Sequence, residues 1–128
     1  MTIHSLIFSL LTTTLVAGSV FAAGVELKTQ TLCGWYEHPT PQNMWLQDRN
    51  GQWIVGTQGG HQIEDDWGFS PKFSDSQWVK TNGYYGYGCA CITGVVNVVT
   101  HRFISISSAR AQSLSVCRKD RALKEPTD

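Results

Sequence analysis

The sequence predicts a mainly β domain: a small five-stranded Greek-key barrel with one short helix, stapled by two disulfides. Three observations predict it. The chain carries four cysteines among 128 residues, an even count in a short chain whose N-terminus reads as an export signal. Apolar and β-branched residues recur in short runs punctuated by glycine, proline and asparagine. One capping box separates an early hairpin from two long strand-like runs. Another small β-sandwich or roll is the alternative architecture.

The opening "MTIHSLIFSLLTTTLVAGSVFAAG" has no acid, lysine or arginine. An apolar run from Leu6 to Val20 leads into small residues, so residues 1–22 read as a secretory signal peptide. Cleavage after Ala22 puts Val20 and Ala22 at the two small-residue positions; cleavage after Ala23 would put the large Phe21 at one of them. An uncleaved anchor is the alternative, but the run is short for a span, which needs roughly 20 apolar residues. Residues 23–128 then form one β-rich domain, ordered over about 31–122, with "KEPTD" as a frayed tail. All ten basic and all ten acidic side chains stay with that domain. It has no net charge with which to draw in nucleic acid or an anionic membrane, and a monomer without a membrane span is expected.

Along the domain, "CGWYEHPTP" reads as a short strand, Gly34 to Glu37, running into a proline-punctuated loop. In "MWLQDRNGQWIVG", Asn50-Gly51 between two apolar-rich runs signals a hairpin. A four-residue "DRNG" turn fits equally well. Leu46 and Asp48 share one face, Trp45 and Gln47 the other; beyond the turn Trp53 and Val55 alternate with Ile54. Residues 59–72 read as loop. Ser74 with Gln77 makes the capping box, and Phe73 and Trp78 flank it as a hydrophobic staple, so a short helix starts near Asp75. "KTNGYYGYG" ends it. "CACITGVVNVV" and "HRFISISSARAQSLSVC" read as long strands. The order of strand, hairpin, helix, strand, strand matches a barrel of the oligonucleotide/oligosaccharide-binding type.

Cys33, Cys89, Cys91 and Cys117 allow three pairings. Two steps along a strand separate Cys89 and Cys91 by about 6.6–6.8 Å with parallel side chains, which disfavours a bridge between them. Each is expected to bond outward, to Cys33 and Cys117 in either combination, with Cys33–Cys91 and Cys89–Cys117 preferred. Each bridge contributes about 2–4 kcal/mol. The competing reading is a metal or redox site at Cys89 and Cys91. It lacks supporting ligands, because His38, His61 and His101 are scattered, and it lacks the helix start that lowers a thiol pKa.

No nucleophile elbow, zinc helix, phosphate loop or dinucleotide fingerprint is present. Asp65 and Asp66 are adjacent and point apart on an extended segment, which suits no paired acid/base role. No catalytic residue, metal or cofactor is assigned. The aromatic residues carry more information. Trp53, Trp78 and Phe103 suit the interior. Trp67, in a Gly- and Asp-rich loop, and Tyr84, Tyr85 and Tyr87, among glycines, are the candidate binding surface.

The blocks "CGWYEHPTPQNMWLQDRNGQWIVGTQGG", "WVKTNGYYGYGCAC" and "LSVCRKDRAL" together resemble a bacterial domain-of-unknown-function family, DUF4087, over nearly the whole mature chain. The resemblance implies a small exported four-cysteine bacterial protein, periplasmic or secreted. It implies no activity and no functional residues. The expected function is an envelope binding or inhibitor-type module that recognises a protein or glycan partner through aromatic side chains. A small periplasmic enzyme or metal/redox handler using Cys89 and Cys91 is the alternative.

Overall fold

The computed structural model describes residues 15, 18, 24–63 and 70–127. Apart from Leu15 and Gly18, the predicted signal peptide lies outside the described residues, and so does Trp67. Among the described residues six strands form: β1 (Leu27–Thr40), β2 (Asn43–Asp48), β3 (Gly51–Gly56), β4 (Trp78–Asn82), β5 (Tyr85–Asn97) and β6 (Arg102–Gln112). A 3₁₀ turn spans Asp75–Gln77, and a helix α1 spans Leu114–Lys119. The sheet order is β1-β2-β3-β6-β5-β4, and β1 also pairs with β5. Five strands therefore close into a ring, β1-β2-β3-β6-β5, as predicted, with β4 hanging from β5 outside it. The ring is closed at one seam by a short parallel contact, Ile54 opposite Arg102. There the His61 ring also bonds the Phe103 carbonyl at 2.7 Å.

The β2–β3 hairpin takes the four-residue form. Asp48 pairs with Gly51, and the Asp48 carboxylate accepts the Asn50 backbone N–H at 2.7 Å. Asp at the first turn position and Gly at the fourth is the chemistry of a type I turn. That register sends Met44, Leu46, Trp53 and Val55 inward. Leu32, Tyr36, Ile92, Val96, Phe103 and Ile106 join them in the barrel core. The predicted interior places for Trp53 and Phe103 are thus occupied. Trp78 is half-buried against the same cluster.

β5 is buried on both faces. Its inner residues Ala90, Ile92 and Val96 line the barrel. Its outer residues Tyr87 and Cys89 form a second cluster with Trp35 and Cys117, and Leu114 and Leu123 pack against it. The element that covers this outer face is α1, held down by Cys89–Cys117.

Three elements depart from expectation. β1 is a fourteen-residue strand rather than four, because its polar N-terminal half is held by pairing with β5 and not by burial. β4 occupies the stretch predicted to end the helix. A tight turn at Gly83, with φ of 58°, folds β4 back onto β5, pairing Asn82 with Tyr85. Residues Leu114–Lys119 are helical rather than strand, although "SLSVC" alternates with the strand period.

Candidate functional site

Beyond the barrel core, the inner face of the sheet continues onto three strands, β1, β5 and β4. Here the register is simple. Tyr36 on β1 pairs with Gly88 on β5, which pairs with Trp78 on β4. One step on, His38 pairs with Gly86, which pairs with Lys80. Side chains two apart on a strand share a face, so Tyr36, His38, Trp78 and Lys80 flank a stretch of β5 that offers only Gly86 and Gly88 on this face. The ring of Phe73 fills the space over Gly88. A Cβ at that glycine would lie 2.5 Å from the Phe73 ring and 2.7 Å from the Gln77 carbonyl.

The chain before β4 is set by its capping residues. The Ser74 backbone N–H donates to Gln77 Oε1 at 3.1 Å, the return bond of the capping box. The staple is made as well: the Phe73 and Trp78 rings lie 4.8 Å apart. Phe73 also stacks on Tyr36, with centroids at 5.9 Å. Trp78 Nε1 donates to the Tyr84 carbonyl at 3.0 Å, tying the β4–β5 turn to the same platform.

The result is a cleft of about 370 Å³ at the mouth of the barrel. Its apolar wall is Tyr36, Pro71, Phe73, Trp78 and Tyr84; its polar groups are His38, Ser74, Asp75 and Lys80. That volume and that mixture suit a small-molecule group or a side chain of a larger partner. Lys80 Nζ sits 5.1 Å from the Tyr84 ring centroid, a cation–π contact at the rim. His38 Nε2 is buried and has no hydrogen-bond partner among the described residues. Burial pushes the His38 pKa below the usual imidazole value, which favours the neutral ring. A larger hollow, about 640 Å³, separates the β2–β3 hairpin from the C-terminal tail, but charged, solvated side chains such as Arg49, Lys124 and Glu125 line it.

The predicted binding residues separate. Tyr84 stands at the cleft rim, 87% exposed. Tyr85 is half-buried with its ring edge-on to His38, centroids at 5.0 Å. Tyr87 is a correction: it is 7% exposed and packs edge-to-face on Trp35 at 5.4 Å, within the cluster beneath α1. The glycines around it do not uncover it. Gly86 and Gly88 point to the other face of the strand, where they admit the β4 backbone and the Phe73 ring. Tyr36, His38, Phe73, Trp78 and Lys80 were not assigned to the site from the sequence. The Phe73/Trp78 staple was the available signal. The sequence puts His38 in a loop, because the strand it predicts there ends at Glu37.

On the opposite face, Trp45 Nε1 donates to Glu37 Oε2 at 2.7 Å. Burial pushes the Glu37 carboxyl up, and the Trp45 bond opposes the shift. The cysteines bond as Cys33–Cys91 and Cys89–Cys117, which is the preferred combination. Both sulfurs of the Cys-x-Cys pair are therefore engaged with different partners, and neither is a thiolate ligand or a mutual dithiol. No helix among the described residues is long and apolar enough to cross a membrane.

Residues 27–124 match the model of a family described as a protein of unknown function, DUF4087. Comparison with curated proteins and with solved structures gives no match.

Proposed function

The chain belongs to the DUF4087 family, and from that premise we propose that it is a small exported module of the bacterial envelope that binds, or inhibits by binding, a protein or glycan partner. The single observation that carries this reading is the cleft in which Phe73, Trp78 and Tyr84 converge with His38, Asp75 and Lys80. Aromatic anchors present large area with few torsions to freeze, and they dominate recognition energetics for that reason. Two disulfides support an oxidising compartment, in keeping with the signal-like N-terminus. An intact mass beginning at Ala23 in the periplasm or medium is expected; a chain retaining Met1 in the cytoplasm would overturn the export reading.

Capture from a native envelope extract tests the binding reading. Mature wild-type domain and two rim variants, Tyr84→Ala and Lys80→Ala, are used in parallel. A partner retained by wild type and lost by both variants, at unchanged melting temperature, supports the cleft. A partner retained equally by all three removes it.

A further inference from the structure

We propose that Cys33–Cys91 is a site of thiol–disulfide exchange, opened in the folded protein by a partner protein presenting a dithiol, while Cys89–Cys117 stays closed. The proposal is independent of the cleft.

The two bridges share the outer face of β5 but sit in different surroundings. Cys89 and Cys117 are 0% and 2% exposed, under α1 among Trp35 and Tyr87. Beyond the reach of α1 the same face opens: Thr31 on β1 is exposed, and Thr93 and Val95 on β5 are half-buried. Cys91 is 7% exposed, but its partner Cys33 is an exposed residue. Exchange needs an incoming thiolate to reach one sulfur in line with the S–S bond. Cys33 offers that approach and Cys89–Cys117 does not.

Opening the outer bridge also costs the fold little architecture. Cys33 and Cys91 are direct partners in the β1–β5 ladder, Cα atoms 4.0 Å apart, the seventh of twelve consecutive pairs from Leu27–Asn97 to His38–Gly86. Hydrogen-bonded strand continues on both sides of the pair. Cys117, by contrast, is the buried residue of a six-residue helix, too short to hold itself.

The third observation is the neighbour of Cys91 on its other side. Arg110 on β6 is its ladder partner. Directly opposite residues share a face, with Cβ atoms about 4.5–5.5 Å apart. Arg110 is exposed and enters no ion pair among the described residues. A guanidinium beside a sulfur favours the thiolate, and a lower-pKa thiol is the better leaving group. The equivalent partner of Cys89 is the uncharged Gln112.

The exchange is balanced as follows. A thiolate of the partner's dithiol attacks Cys33 Sγ; the Cys33–Cys91 bond breaks; Cys91 leaves as a thiolate beside Arg110 and takes up a proton. The partner's second thiol, deprotonated, attacks the mixed disulfide and releases Cys33 as a thiolate, which is protonated in turn. The partner ends as a disulfide, and two electrons and two protons have passed to this chain.

The test uses the intact mature domain without denaturant. Dithiothreitol is added, samples are quenched with iodoacetamide, and peptides are mapped. Cys33 and Cys91 are expected to be labelled together, at least ~10-fold faster than Cys89 and Cys117. Arg110→Gln should slow that step by ~3–10-fold at an unchanged melting temperature, and Arg110→Lys should restore it. A thioredoxin variant keeping only its attacking cysteine is the second probe and should be trapped on Cys33. Equal labelling rates, labelling of Cys89–Cys117 first, reduction only in denaturant, or no trapped complex on Cys33 would each overturn the proposal. An Arg110→Gln rate equal to wild type would overturn the role of the cation.

Discussion

The Trp53 and His101 rings lie face to face, centroids 4.0 Å apart and planes within 4° of parallel. Trp53 is the third residue of β3, just beyond the hairpin turn, and His101 ends the β5–β6 turn in the left-handed region, with φ of 53°. The stack therefore closes the barrel end at which β3 meets β6. Trp53→Ala removes both the stack and a side chain only 5% exposed. A loss of about 3–5 kcal/mol is expected. Chemical denaturation of the variant checks it; near-wild-type stability would place this face in solvent.

Tyr84 and Tyr87, three residues apart, should respond oppositely to the same truncation. Tyr87→Ala opens a cavity against Trp35 and the Cys89–Cys117 bridge, at about 3–5 kcal/mol. Tyr84→Ala gives up one exposed cation–π contact, at under about 1 kcal/mol. Thermal melts of the two variants distinguish them, and equal losses would contradict the division of the tyrosine cluster between core and rim.

Acid should destabilise the fold through His38 and be partly offset through Glu37. An unfolded imidazole takes up a proton near pH 6.5, whereas the buried ring resists it. The unfolded state then binds more protons, so stability falls as pH drops below that value. Glu37 works the other way. Its folded pKa is raised, so its contribution is present at low pH and is lost as pH rises from the ordinary carboxylate value toward the folded one. His38→Gln should flatten the fall in melting temperature on acidification from pH 6.5, and Glu37→Gln should steepen it. Parallel melting profiles across pH 4–7 for both variants and wild type would contradict the assignment.

The barrel was legible where local chemistry and tertiary packing agree. The sequence marks the hairpin but leaves two turns open; the Asp48–Gly51 pair decides between them, and the inward alternation of Leu46, Trp53 and Val55 follows from it. The capping box and staple around Ser74 are legible because each is a contact between near neighbours. Failures came where tertiary partners decide. Nothing local marks Leu27 to Thr31 as strand; the twelve-pair ladder with β5 does. Leu114 and Val116 alternate as in a strand, yet the bridge from Cys117 to Cys89 accompanies a helix. The cleft was half-visible for the same reason. Tyr84 is marked in the sequence by the glycines around its cluster, and the structure places it at the rim. Tyr36 and His38 belong to the site only through glycines 86 and 88, which lie far away in sequence and opposite them across the sheet.

The central claim, recognition at the barrel mouth, is tested most directly by mapping a bound partner onto the domain. With ¹⁵N-labelled mature protein and the partner recovered by capture, the Trp78 indole N–H and the Lys80 and Tyr84 amides are followed during titration. These signals are expected to shift or broaden first, while the Trp45 indole, on the opposite face beside Glu37, stays in place. Movement of Trp45 and the 48–51 hairpin with Trp78 and Tyr84 unchanged would contradict the claim and put recognition on the other side of the sheet.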